Sequence, residues 1–293
     1  MAYRLIAFKR CIAKGIESIV AKRLAWIAEG FRLLPPEHAG GRRGQLAQEV
    51  VSYIVNSIKR QFRAGNFVVG VGLDVAKAFP SVGVDKLVDD LREMAFLPKV
   101  LQFVRAFMVG RSCRLQFEGT VSEPLAWESG LLQGSTLSPI LFLLYNVDLI
   151  RLAKAPSSCG FGWIDNVNIL AWGPSVPAAI AAAQVLVPAL KAWSNSHKFA
   201  FEPDKTSVTI FHPPQRPPPP NPPAVVLRGT ELTFSLSLSL LDTELDSTLS
   251  FSAHQARCAA KAATAMTGAS LLSKARWGLK PGLVRQLVRA IVE

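Results

Sequence analysis

Two aspartates, Asp74 and Asp165, stand where a chain can aim a carboxylate at a metal ion. Asp165 lies in Phe161-Gly162-Trp163-Ile164-Asp165-Asn166-Val167-Asn168-Ile169-Leu170, where two apolar runs, 161–164 and 167–172, are split by Asp-Asn. Two residues that tolerate positive φ between β-prone runs make a tight hairpin. This expectation puts Asp165 and Asn166 at the tip. A carboxylate on such a rigid turn can serve a metal ion, or can be a turn former and nothing more. Asp74 ends the β-prone run 67–73 and begins Asp74-Val75-Ala76-Lys77-Ala78-Phe79. A carboxylate leaving a buried strand suits a metal ligand or a catalytic acid, or a cap for the next helix. Gly130-Leu131-Leu132-Gln133-Gly134-Ser135-Thr136-Leu137-Ser138-Pro139 is a glycine-bracketed loop feeding a helix. Free amides at a helix start, with Gln133 beside them, can contact phosphate or a base; an ordinary loop-to-helix junction reads the same way. Gly40-Gly41-Arg42-Arg43-Gly44 is a basic loop able to wrap phosphates or simply to be solvated.

The elements that must position these residues follow from periodicity. Ile12, Ile16, Ile19, Val20, Leu24 and Ile27 recur at three- and four-residue spacing, which predicts a helix within 1–34, stopped by Leu34-Pro35-Pro36. Further helices are expected at about 45–63, 85–95, 98–109 and 137–149. Segments 113–117 and 121–127 read as a hairpin about Glu118-Gly119-Thr120. The Ala-rich stretch 176–198 is helical in pattern with Pro188 inside it, which costs about 3 kcal/mol or more or forces a kink. Strands at 199–201 and 208–211, joined by Glu202-Pro203-Asp204-Lys205, are expected to close this unit. Residues 212–223 carry eight prolines and predict an extended, semi-rigid linker and domain boundary. Beyond it, 233–241 alternates like a half-buried strand, and 252–276 and 281–292 read as helices.

Composition narrows the class. The 293 residues carry a net charge of +12, with pI about 9.9. A surface that basic favours a polyanionic partner, nucleic acid before an anionic membrane. Hydrophobic residues make up 49%, yet no run reaches the ~18 uninterrupted apolar residues of a membrane span. Residues 176–190 come near but carry Pro177, Gln184 and Pro188, so no membrane partner is expected. The four cysteines are scattered without a C-x-x-C pair, which argues for a reducing intracellular setting and against a zinc site.

Taken in order, these features form a set: Leu73-Asp74-Val75-Ala76-Lys77-Ala78-Phe79, then Leu132–Pro139, then Trp163-Ile164-Asp165-Asn166, then Lys205 in a later turn. In this order the chain resembles the reverse transcriptase domain of non-LTR (LINE-like) retrotransposons, especially the fungal ones. The resemblance covers nearly the whole chain and implies an α+β fold: a right-hand polymerase palm, an antiparallel sheet with helices. Fingers (partial) would occupy 1–66, the palm 67–211, a proline-rich linker 212–223 and a partial thumb 224–293. It implies RNA-directed DNA synthesis by two-metal nucleotidyl transfer, with two Mg²⁺ ions (Mn²⁺ as substitute), deoxynucleoside triphosphates, an RNA template and a DNA primer. Asp74 and Asp165 would bridge the ions, with Asn166 a degenerate third ligand and Lys205 a proton donor to pyrophosphate. Phe79 would pack under the incoming sugar, Gln133 and Gly134 would contact nucleotide and template, and Arg43 the triphosphate. Arg42, Arg43, Lys261 and Lys274 would grip nucleic acid.

Departures from the family pattern carry their own expectation. Asn166 stands where a second hairpin carboxylate is usual, and Leu132 and Thr136 where prolines are usual. Gln45-Leu46-Ala47, Pro80, Pro188 and the polyproline stretch are also atypical. Together they describe a decaying or truncated copy, weak or inactive because of Asn166. The alternative is a catalytically dead nucleic-acid-binding relic. No endonuclease or ribonuclease H pattern is expected in this chain. The family's setting is nuclear, with a mitochondrial one left open.

Overall fold

A computed structural model describes residues 7, 10–74, 78–127, 130–199, 201, 206–227, 229–272, 278 and 280–292. Its centre is a four-stranded antiparallel sheet in the order β6-β7-β1-β8: β6 (Ser158–Trp163), β7 (Asn166–Gly173), β1 (Phe67–Asp74) and β8 (Ser207–Phe211). Successive strand residues face opposite sides. Val69, Val71 and Leu73 of β1 therefore join one buried cluster, while Val68 joins the other. Gly70 and Gly72 leave room on the second side: a Cβ at Gly70 would lie 2.7 Å from the Phe211 ring and 3.3 Å from Leu238.

The first cluster is built on α5 (Ser138–Leu152), which is apolar almost all round and buried almost all round. Around it pack α1 (Cys11–Gly30), α3 (Val84–Glu93), α4 (Pro98–Met108), α6 (Val176–Gln184) and α7 (Val187–Ser196). Pro188 does not sit inside a kinked helix. The stretch ends at Gln184 and restarts at Val187 with the proline in its first turn, where a missing N–H costs nothing. By length and composition Val176–Ser196 could cross a membrane, but Val176, Ala179, Ile180, Ala183, Leu190 and Trp193 are spent on this core. Phe199 and Phe201, from the stretch expected as a strand, fill the same core just past α7, with Phe199 N–H donating to the Ser194 carbonyl. Between α4 and α5 the expected hairpin forms about Glu118-Gly119 with an interrupted ladder: β3 (Gln116–Phe117) pairs β4 (Thr120–Val121) next to the turn, and β2 (Arg111–Cys113) pairs β5 (Leu125–Trp127) farther out.

On the other side of the sheet lie α2 (Ala47–Arg63) and a ribbon of β11 (Ser237–Leu240) with β12 (Thr243–Asp246). The ribbon lies beyond the expected boundary at 212–223 yet packs on the same sheet. The proline-rich stretch is pinned beside that sheet by Arg216, whose guanidinium donates to the Gly65 and Pro174 carbonyls and lies 4.5 Å over the Phe67 ring. The chain then returns: β9 (Val225–Leu227) and β10 (Thr230–Leu232) bring Val225 and Leu232 into the first cluster, and Leu238, Leu240, Leu245 and Leu249 fill the second. Only then do α8 (Ser252–Leu272) and α9 (Pro281–Val292) follow. A proline run fixes the path of a chain; it does not by itself decide whether the apolar residues beyond it have a core to join.

The expected first helix is α1; its buried residues are Glu17, Leu24 and Ala28, while Ile12, Ile16 and Ile19 are exposed. The edge of β6 is covered by the loop after α1: Gly162 N–H donates to the Glu37 carbonyl and Ala39 N–H to the Gly162 carbonyl. That pairing buries His38 completely. Arg42 holds the loop in place, its guanidinium on Glu29 and on the Pro35 and His38 carbonyls.

Two outcomes follow from this packing. Leu238→Ala should lower stability by about 2–5 kcal/mol, as a buried Leu does in a shared core; equilibrium urea unfolding would show no change if 224–251 were an independent appendage. His38 should make stability acid-sensitive. Burial pushes its imidazole from 6.5 down to about 4. The unfolded chain therefore takes up a proton over a range where the fold does not. Stability is fully present above about 6.5 and is lost as pH falls toward about 4. Denaturation curves across that range should show the fall, and His38→Gln should remove this part of it.

Candidate active site

The site is assembled by the register of two strands. In the β1–β7 ladder Asp74 pairs with Asn166 and Leu73 with Val167. Asp74 thus ends β1 beside the turn that carries Asp165. The backbone position of Asp74 is described; its side chain is not. Asp165 is half-buried and Asn166 exposed, with Asn166 Nδ2 turned to Asp165 Oδ1 at 3.4 Å.

The turn is not the one expected from Asp-Asn. Trp163 pairs with Asn166, so the two central residues are Ile164 and Asp165. Positive φ falls on Ile164, at 55°. For a β-branched residue that is a true outlier, costing on the order of 1–3 kcal/mol, and it persists only where surroundings fix it. The surroundings do so here. Continuing the strand through Trp163 puts Phe161 and Trp163 on the same face, where both join the second cluster, while Ile164 drops against the first. Gly40 packs flat beneath the turn: a Cβ there would lie 2.5 Å from Ile164 N. From α5, Asn146 Nδ2 donates to the Ile164 carbonyl at 2.8 Å.

The Gln133 loop is tied to the segment after Asp74. Leu131 N–H donates to the Phe79 carbonyl (2.7 Å) and Gly130 N–H to the Val82 carbonyl (3.2 Å). Gly130 has φ of 79° and lies so close that a Cβ would sit 2.5 Å from the Pro80 carbonyl oxygen, so only glycine fits. Phe79 stacks on Phe142 of α5, centroids 5.0 Å apart, which fixes the ring half-exposed at the mouth of this junction. Gln133 is half-buried and Gly134 exposed at φ 93°. Below them buried Ser135 donates to Glu17 Oε2 at 2.6 Å and accepts from Leu137 N–H. Ala7 N–H reaches the Gln133 carbonyl at 2.8 Å. The N-terminal segment and α1 thus brace the loop from outside.

The structure therefore brings together Asp74, Asp165 and Asn166 at one end of two adjacent strands, and ties Phe79 to the Gln133–Gly134 loop. Arg43 is exposed on the glycine loop, whereas Arg42 is committed to Glu29 and two carbonyls and leaves little to offer phosphate. Lys261 is exposed on α8. Lys205 and Lys274 lie outside the described residues. Sequence reasoning missed Glu17, His38, Arg111 and Asn146. Arg111 donates to the Gly130 carbonyl at 2.8 Å, and burial lowers its pKa. Each of these acts across more than a dozen positions of sequence, and none sits in a motif.

The donor set at the strand ends is oxygen only: two carboxylates and an amide. That chemistry fits hard divalent cations such as Mg²⁺. Among the described residues no group of three His, Cys, Asp or Glu side chains is assembled.

Comparisons with known proteins agree with this arrangement. The family described as Reverse transcriptase (RNA-dependent DNA polymerase) matches residues 1–246. The "Probable RNA-directed DNA polymerase from transposon BS" of Drosophila melanogaster is 24% identical over 258 residues. The RNA-directed DNA polymerase from mobile element jockey of Drosophila funebris is 22% identical over 259. Each alignment covers 86% of this chain and 28% of the fly protein, so the chain spans under a third of their length. Among solved structures, telomerase from Candida albicans with a fragment of telomeric RNA superposes with TM-score 0.53 at 12% identity, over 80% of this chain and 37% of that one. Truncated telomerase from Candida tropicalis gives 0.52 at 10%, over 81% and 44%. At such identities the likeness carries the fold, an α+β polymerase fold of mixed helix and antiparallel sheet. With the family match spanning most of the sequence, the chain belongs to the reverse transcriptase (RNA-dependent DNA polymerase) family, as a reverse transcriptase domain of retrotransposon type.

Proposed function

We propose that this domain extends a DNA primer on an RNA template, consuming deoxynucleoside triphosphates, with a rate held down by Asn166. The observation that carries the reading is the register that sets Asp74 opposite Asn166 and beside Asp165. Asp74 and Asp165, with a poorer contribution from the Asn166 amide oxygen, would hold two Mg²⁺ ions. When bound, such ions activate the primer 3′-hydroxyl and neutralise the leaving pyrophosphate. The chain's own residues do the rest. Phe79, immobilised on Phe142, would pack under the incoming sugar and disfavour a 2′-hydroxyl. Gln133 and Gly134 would contact nucleotide and template from a loop fixed by Ser135 and Ala7. Arg43 would meet the triphosphate, and Lys205 would protonate pyrophosphate. The exposed Lys261, together with Lys274, would hold the duplex by its phosphates.

The motif wording, including Val167-Asn168-Ile169-Leu170 after the turn, supports an element of the fungal branch and a nuclear site of action. A second reading has its own observation: Asn166 removes a negative charge beside two dications, which would leave a nucleic-acid-binding relic of the same element.

Primer extension on an RNA template with Mg²⁺ or Mn²⁺ separates the two. Asp74→Ala should abolish extension while leaving duplex binding intact. Asn166→Asp should raise kcat by about tenfold or more, a barrier change of about 1.4 kcal/mol. No gain in a folded Asn166→Asp protein would sink the account of that position. No extension by either protein, with retained binding that falls by about 10³-fold or more between 50 and 200 mM salt, would establish the relic.

A further inference from the structure

The Ile164–Asp165 turn is gripped by a buried polar pair that belongs to none of the sequence motifs. Asn146, 1% exposed on α5, donates through Nδ2 to the Ile164 carbonyl at 2.8 Å. Its other side-chain atom, Oδ1, lies 2.6 Å from Nε2 of His38, which is 0% exposed. Chemistry allows this chain of groups one arrangement. A backbone carbonyl can only accept, so the amide nitrogen faces it. Oδ1 must then accept in turn, so His38 carries its proton on Nε2. His38 is itself held by backbone: the loop 37–39 pairs with Gly162 of the same hairpin, and Arg42 ties the His38 carbonyl. Two separate parts of the chain therefore converge on one carbonyl, that of the residue with the strained φ.

We propose that Asn146, oriented by His38, is a positioning residue: it fixes the Ile164 carbonyl so that the turn presents Asp165 to the reacting end of the primer. The purpose of the grip rests on the polymerase reading above; the grip itself does not. A purely structural role would be expected to spread its effect over the fold. A positioning role concentrates it at residues 160–168 and in the chemical step.

The test uses the full chain and four proteins: wild type, Asn146→Ala, His38→Leu, and His38→Gln, whose amide can replace the Nε2 donor. Hydrogen exchange followed by mass spectrometry should show the peptide spanning 160–168 exchanging about tenfold faster in Asn146→Ala and His38→Leu, the loss of one buried hydrogen bond. Peptides from α2 and α4 should be unchanged, and His38→Gln should return to within about threefold of wild type. In primer extension the first two variants should lose about tenfold or more in kcat, with nucleotide KM and duplex Kd within about twofold of wild type. Unchanged exchange at 160–168 overturns the grip. Faster exchange with unchanged kcat overturns the positioning role, as does an equal fall in kcat and duplex affinity. If wild type and Asn166→Asp extend no primer at all, the polymerase reading fails, and the exchange data still decide whether Asn146 and His38 hold the turn.

Discussion

The antiparallel register between β1 and β7 is the constraint on which the rest of the molecule depends. Asp74 and Asp165 are far apart in sequence and meet only because Leu73 pairs with Val167 and Asp74 with Asn166. A slip by one residue would do more than displace the carboxylates. It would turn Val167, Ile169 and Ala171 out of the first cluster and Leu170 out of the second. The apolar alternation on both faces is therefore what sets Asp74 beside the Asp165 turn, and the helices and ribbon on the two faces are what make a slip costly.

Two features sharpen that specification. The glycines of β1, Gly70 and Gly72, admit Phe211 and Leu238 so closely that the ribbon beyond the proline-rich stretch becomes part of the palm. On the opposite face α5 starts at the Gln133 loop, passes under Phe79 through Phe142, and offers Asn146 to the hairpin. One buried helix thus links the Gln133 loop, the Phe79 ring and the Ile164–Asp165 turn. Tyr145 beside Asn146 adds a tie to the His197 carbonyl, and burial pushes its phenol up to about 12, so it stays a neutral donor.

Much of this was legible in the residues. The strand leading to Asp74, the helices of 45–109 and the helix after Gln133 follow from periodicity, which is local. What was not legible is decided by distant partners. Asp-Asn is the better turn pair by intrinsic tolerance of positive φ, yet Ile164 takes that conformation because Trp163 is needed on the face of Phe161 and Asn146 captures the Ile164 carbonyl. Which side of α1 is buried depends on a distant partner, because Glu17, a polar residue by type, is buried on Ser135. The proline run looked like a boundary because its composition is extended, while the leucines that follow it find their places only in three dimensions.

Asn166 shows how far fold and chemistry can separate at one position. As the first residue of β7 it supplies backbone to the ladder, and its side chain is exposed, so packing places no demand on it. Its amide nitrogen faces the Asp165 carboxylate at 3.4 Å. A carboxylate in its place would set like charges side by side at the turn, and each would raise the other's pKa until cations arrived. The amide relieves that repulsion and so favours the metal-free hairpin, at the expense of the charge that two dications need. The fold therefore tolerates Asn at this position, and the turn without metal prefers it. On the proposed reading its effect would fall on metal binding alone, since the strands, the Asn146 grip and the Gln133 loop do not depend on it.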